Sequence, residues 1–223
     1  KEILTAGEAV FTNTCQLCHN DTSKLGAPSM GVLGQMSPRA IVAALRTGKM
    51  KTNAEKLSLA ECESVAQWIT KKLLKETIIP QEAYTEFSIP GIASINKWVS
   101  GWGGNLASTG FSSSADAGIN SGNVQTLQLK WAFAFPDASQ ARCRPAIIGD
   151  WLITGSQMGD VFAIHKKTGK IGWRFIADAA IRGGIQVDKS GDSLKVYFAD
   201  YSTNVYALDL STGKLIWKKR SGP

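Results

Sequence analysis

Two thiols and an imidazole stand together in Cys15-Gln16-Leu17-Cys18-His19. Thiols at this spacing lie about one helical turn apart, close enough to reach the two vinyl groups on one porphyrin edge. His19 follows at once and can turn its ring onto the iron. Cys-x-x-Cys-His is the attachment signature of a c-type haem. A covalently tethered haem is not lost, which suits an electron carrier better than an oxygen binder. The rival chemistries are half of a zinc site and a thioredoxin-like redox pair. Zinc would want two further ligands, and Cys62, Cys143 and His165 are not paired at ligand spacing. A redox pair has no need of His19. Haem attachment is the chemistry that uses all three residues.

The surrounding pattern is helical. Thr5 can cap a short helix running into the Cys15 loop, with Gly7, Val10 and Phe11 on its inner side. Ser37-Pro38 combines a hydroxyl at the N-cap with proline at the first helical position. Ile41, Val42 and Leu45 then recur at helical spacing, and Gly48 marks the stop. Ser58-Leu59-Ala60-Glu61 is a capping box. It opens a helix predicted to carry Cys62, Val65, Ile69 and Leu73 on one face, with Trp68 beside them.

These residues together resemble a class I cytochrome c domain. Gly7 and Phe11 match that family's first helix, which crosses the last helix at an aromatic, here Trp68. The resemblance implies that the Pro28 carbonyl takes the Nδ1 proton of His19. It also implies a methionine as sixth iron ligand. Met30, Met36 and Met50 are the candidates, and Met50, in the loop before the capping box, fits the pattern. His/Met ligation would raise the potential and leave no open iron site. Lys24, Arg39, Arg46, Lys49, Lys51 and Lys56 flank the expected haem edge, as a dock for an acidic partner or as a solvated face.

A chain of 223 residues suits two modest domains. No apolar run reaches the length of a membrane span. The formal charge is +7, yet Lys and Arg form no run interleaved with aromatics, so nucleic acid is not an expected partner. Lys1 leads straight into a polar helix pattern without a signal peptide, and c-type haem is installed outside the cytoplasm. The expectation is a mature periplasmic or otherwise exported chain. Cys62 and Cys143 could be bridged or buried as thiols, and sequence leaves both open.

We expect the cytochrome over residues 1–76, a linker with Pro80, Pro90 and Gly91 over 77–96, and a second architecture from 97 to 223. There the chain repeats. The stretch from Ala163 through Thr168-Gly169-Lys170 to Trp173 recurs from Ala207 through Thr212-Gly213-Lys214 to Trp217, an offset of 44 residues. Residues 123–131, ending at Trp131, read as a degenerate copy. Each repeat predicts short strands: Ile147 to Thr154, Val161 to His165 and Ile171 to Phe175, then Lys195 to Ala199, Asn204 to Leu208 and Lys214 to Trp217. Thr-Gly-Lys supplies a tight turn in which glycine takes positive φ. This period and strand content predict β-propeller blades. The fold class is thus multidomain: a small all-α cytochrome followed by the first two to three all-β blades of an incomplete propeller.

The Ala, Gly and Trp spacing resembles the tryptophan-docking motif of quinoprotein propellers, which bind pyrroloquinoline quinone (PQQ). Trp102-Gly103-Gly104-Asn105, Ile119-Asn120 and Asn123-Val124 follow the order that opens the quinoprotein alcohol dehydrogenase propeller. A cytochrome ahead of the propeller, with Cys143-Arg144-Pro145 and no adjacent cysteine pair, resembles the polyvinyl-alcohol dehydrogenases of that family. The resemblance implies PQQ and Ca²⁺ as cofactors beside haem c. It marks Arg182, in Ala180-Ile181-Arg182-Gly183-Gly184, as a PQQ contact, with Arg144 a weaker one. Two departures stand out: Ile176 and Ala177 occupy the place of the family's vicinal disulfide, and its first-blade glutamate is replaced around Arg142 to Arg144. About eight blades close such a propeller, and the calcium ligands and catalytic aspartate belong to later blades. Catalytic residues are therefore not assigned here. The chain reads as the N-terminal part of an alcohol dehydrogenase. Its expected partners are the rest of the propeller, in the same polypeptide or a companion chain, and an external electron acceptor such as a soluble cytochrome. The alternative is a non-catalytic electron-transfer cytochrome on a scaffold propeller, as in outer-membrane assembly proteins.

Overall fold

Helices dominate up to Thr70 and antiparallel sheets beyond Trp98 in the computed structural model. The structure describes residues 2–20, 26–74, 78–89, 95, 98–105, 107–138, 140–190 and 193–221. Lys24, Pro90, Gly91 and the expected boundaries at 76/77 and 96/97 lie outside the described residues.

Helix α1 (Glu2–Val10) continues through a π-helical turn, Phe11–Cys15. Thr5 is therefore inside the helix and not its cap; packing on the last helix, more than a side-chain cap, holds this segment. That packing is close. A Cβ on Gly7 would lie 2.6 Å from Trp68 Cβ and collide with the Ser64 carbonyl, while Phe11 and Trp68 meet at 5.1 Å. After α2 (Met30–Leu33), α3 (Pro38–Arg46) begins as its sequence predicts, with Ser37 Oγ accepting from Ala40 N at 3.1 Å. The α4 helix (Leu59–Thr70) opens on a complete capping box: Ser58 N donates to the Glu61 carboxylate at 2.8 Å, and Glu61 N to Ser58 Oγ at 3.2 Å. Cys62, Val65 and Ile69 are buried with Phe11, Ile41 and Leu45. Leu73 corrects the predicted stripe. The helix ends at Lys71 in the left-handed region, so Leu73 leaves that face and is 73% exposed.

Beyond β1 (Trp98–Val99) and the short α5 (Ser114–Ala117), the chain forms two meanders. Strands β2 (Ala146–Ile148), β3 (Trp151–Gly155), β4 (Asp160–His165) and β5 (Ile171–Ile176) follow β1 in one sheet, in that order. The second sheet is β6 (Gln186–Ser190), β7 (Ser193–Ala199), β8 (Asn204–Asp209) and β9 (Leu215–Arg220). The stretch predicted as one strand from Ile147 to Thr154 is two, because Gly149, at φ +53°, turns the chain back on itself. The opening strand β6 escaped sequence reading. Residues 123–131 form no strand among the described residues, only a 3₁₀ turn at Val124–Thr126.

Tryptophans lock consecutive repeats. Ala163 pairs with Trp173 and Ala207 with Trp217, each followed by a bulge at the same place. Trp173 Nε1 donates to Leu210 O at 2.8 Å, its ring so close to Gly213 that a Cβ there would stand 2.6 Å away. Trp131 does the same one repeat earlier, donating to Lys166 O at 2.8 Å and lying on Gly169. The core between the sheets holds Ile148, Ile153, Val161, Val196, Tyr206 and Leu208.

The expected linker is in part an edge of the first blade. Tyr84 pairs in parallel with Ile171, Phe87 packs on Trp151 at 4.3 Å, and Trp151 Nε1 donates to Ser88 O at 2.8 Å. The helical region also touches the β3–β4 turn. Arg39 donates to Met158 O at 2.8 Å and lies 3.7 Å from Asp160, which Arg174 holds at 2.7 Å; Gln157 donates to Gln35 O at 3.3 Å. No helix among the described residues is long and apolar enough to cross a membrane.

Candidate haem and quinone sites

The π-helical turn delivers Cys15 to the rim of a cavity of about 540 Å³. Its walls include Leu33, Ile41, Leu45, Val65 and Ile69, so a flat apolar ring would meet side chains of its own character. Cys15, His19 and Pro28 line it. His19 Nδ1 lies 2.8 Å from Pro28 O; a carbonyl only accepts, so Nδ1 carries the proton and Nε2 is left for iron. Both Met50 and Met36 line the cavity, whereas Met30 packs on the helical core outside it. Cys18 is half-buried and is not among the lining residues. Burial pushes the Cys15 thiol up, with Cys62 and Cys18 adding to it. The Cys15 thiol, the oriented imidazole, the sulfur donors and the apolar walls fit a c-type haem.

Sequence reasoning missed the other side of the cavity, which the second blade supplies. Asp178, residues 201–204, Lys218 and Arg220 line it. Behind them Tyr206 donates to Asp200 Oδ2 at 2.8 Å and accepts from Asp178 N at 3.1 Å, and Lys218 Nζ donates to Asp178 Oδ2 at 2.8 Å. Burial, then the Asp200 and Asp178 carboxylates, push the Tyr206 hydroxyl far above its ordinary range. In the sequence, Tyr201-Ser202-Thr203-Asn204 reads only as a polar turn, and no residue type marks it as part of a site.

One of the two quinone candidates, Arg182, adjoins this wall. The Arg182 guanidinium lies over the Tyr201 ring at 4.3 Å, and its buried Nε has no hydrogen-bond partner among the described residues. Arg144 bridges Gly184 in parallel, with Ile185 N donating to Arg144 O at 3.0 Å. Gly184 abuts the backbone of Trp102, whose side chain is largely exposed. Arg144 does not line the haem cavity. Ala177, in the place of the family's disulfide, is buried and donates to Gly159 O at 2.8 Å. Among the basic residues expected at the haem edge, Lys49 lines the cavity, Arg39 is engaged by the first blade, and Arg46, Lys51 and Lys56 are exposed. Cys62 and Cys143 are unbridged and belong to separate cores, and burial raises both thiols.

Residues 2–69 match the family described as cytochrome c oxidase, cbb3-type, subunit III. Residues 98–189 match the glucose/ethanol/alcohol dehydrogenase β-propeller domain, and residues 157–223 the outer membrane protein assembly factor BamB. The chain is thus an N-terminal cytochrome c domain followed by blades of a PQQ-type propeller, and the cytochrome domain implies haem c. It is related to the quinohaemoprotein alcohol and polyvinyl-alcohol dehydrogenases. The polyvinylalcohol dehydrogenase of Sphingopyxis sp. (strain 113P3) is 30% identical over 95% of this chain, and that of Pseudomonas sp is 29% identical over 96%. The chain spans 35% and 36% of their lengths. The quinoprotein ethanol dehydrogenase of Pseudomonas putida is 36% identical over 47% of this chain and 18% of its own length. Among solved structures, the quinohemoprotein alcohol dehydrogenase from Comamonas testosteroni aligns over 57% of this chain and 20% of that chain, at 20% identity and a TM-score of 0.47.

Proposed function

We propose that this chain is part of a PQQ-dependent alcohol dehydrogenase that passes electrons through its own haem. One juxtaposition carries the reading. Arg182, matched by resemblance to a quinone contact, lies over Tyr201, and Tyr201 lines the haem cavity. Two sites read separately from the sequence thus adjoin through one pair of side chains.

When bound with Ca²⁺, PQQ supplies the oxidation of a hydroxyl to a carbonyl. The residues of this chain position the cofactors. Arg182 and Arg144 offer charge-assisted hydrogen bonds to the quinone carboxylates. Cys15 and Cys18 would tether the porphyrin, Pro28 fixes the His19 ring, and His19 and Met50 would supply the ligands to its iron. A thioether donor from Met50 would favour ferrous iron and so raise the potential of a bound haem. The similarity to polyvinylalcohol dehydrogenases along nearly the whole chain makes a hydroxylated polymer of that kind the proposed substrate. The catalytic base, calcium ligands and remaining blades are assigned to the rest of the propeller, in this polypeptide or a companion chain. The proposed acceptor is a soluble cytochrome, and the proposed location is the periplasm or another exported compartment.

The match of residues 157–223 to BamB favours a second reading, a non-catalytic electron-transfer cytochrome on a scaffold propeller. Adding an alcohol to the complete ferric protein loaded with PQQ and Ca²⁺ separates the two. Growth of the ferrous haem band supports the dehydrogenase; a haem that stays ferric supports the scaffold.

A further inference from the structure

The helical region does not close the haem cavity by itself. The 201–204 turn between β7 and β8, Asp178 ahead of β6, and Lys218 and Arg220 on β9 form one wall. Among the described residues, the charged ones that line the cavity are Lys49, Asp178, Lys218 and Arg220. A haem brings two propionates, ionised at neutral pH, into a cleft where Lys218 and Arg220 offer charge-assisted donors.

Strand geometry sharpens the point. Successive residues of a strand face opposite ways, so Lys218 and Arg220 share one face and Lys219 takes the other. Lys218 and Arg220 line the cavity; Lys219 is absent from its lining, its ammonium 5.9 Å from the Trp217 ring. Lys218 is held by Asp178 at 2.8 Å, and Arg220 reaches the Thr47 carbonyl of the helical region at 3.5 Å. Both cations are thus placed at the seam between blade and haem cleft.

We infer that the second blade completes the haem site, with Lys218 and Arg220 as counter-charges for the haem carboxylates. The inference rests on the cytochrome reading of Cys15, Cys18 and His19. It makes the propeller a determinant of haem potential, because cations beside the porphyrin favour the less positive ferrous state.

The test is an equilibrium redox titration of the haem band in the haem-loaded protein and in Lys218→Gln, Arg220→Gln and Lys219→Gln. The first two lower the midpoint potential, each by up to the ~59 mV that a tenfold change represents for a one-electron couple. Lys219→Gln removes the same charge from the same strand and leaves the potential in place. Added salt shrinks the difference. Unshifted potentials in Lys218→Gln and Arg220→Gln, or an equal shift in all three variants, overturn the inference. A pyridine haemochrome spectrum taken alongside keeps the two readings apart. A thioether-linked signal with unshifted potentials sinks the inference alone, whereas no such signal in the unsubstituted protein sinks the cytochrome reading beneath it.

Discussion

In the helical region the residues that would hold a porphyrin are neighbours in the chain, whereas in the blades the residues that hold one sheet on the next are far apart. Cys15, Cys18 and His19 need one turn of backbone to come together, and Ser58 and Glu61 cap α4 within a single turn. Trp173 instead seals its blade by donating to Leu210 and lying on Gly213, in the next repeat. The lesson concerns energy as much as topology. Local caps contribute about 1 kcal/mol each, while a docked tryptophan concentrates several in one side chain. Trp217 shows the condition attached: it has the same register against Ala207, but in this chain it is only half-buried.

The sharpest way to break this contrast is Trp173→Ala. Emptying the site and orphaning the Leu210 carbonyl should cost about 3–5 kcal/mol. Trp217→Ala in the same chain should stay near about 1 kcal/mol. Guanidinium unfolding of the two variants measures the gap, and equal losses would remove docking as the explanation. Gly213→Ala comes next, at about 1–3 kcal/mol, because φ is +67° and the new Cβ meets the Trp173 ring. Gly169→Ala should cost less, since Trp131 stands 3.0 Å from the added carbon.

Ser58→Ala tests the local side of the comparison. It should lower stability by about 1 kcal/mol and leave the haem potential untouched. The smallest effect is in pH. The Ser58 side chain, then its backbone N–H, holds the Glu61 carboxyl below its ordinary value. This contribution is complete above the unfolded glutamate pKa, about 4.3. It is lost as pH falls through the lower folded value. Thermal midpoints from about pH 6 to about pH 3 should fall less steeply in Ser58→Ala than in the parent; identical slopes would mean that the cap carries none of the acid sensitivity.

Legibility follows the same divide. The caps at Ser37 and Ser58 could be read because each depends on a few residue types at short spacing, whereas the crossing of Gly7 and Phe11 on Trp68 came from the resemblance to class I cytochromes. Repetition announces the blades, and the resemblance to the quinoprotein motif announces the docking of Trp173. Thr5 and Leu73 misled, since apolar spacing continues past points where packing or a left-handed residue sets the helix ends. The strand break was signalled by Gly149-Asp150, but the apolar residues on both sides made the stretch read as one strand.

The sequence alone determined the Cys-x-x-Cys-His pentapeptide, the helical caps and the blade period, for each is written in residues whose mutual positions the local backbone dictates. Only the tertiary structure decided that Phe87 and Ser88 belong to the first blade, that Met36 shares the cavity with Met50, and that Arg182 leans on Tyr201. It also decided that the second blade walls the haem cleft. These contacts join segments that no spacing relates, so they exist only once the tryptophans have set one sheet against the next and the helices have come to rest on their loops.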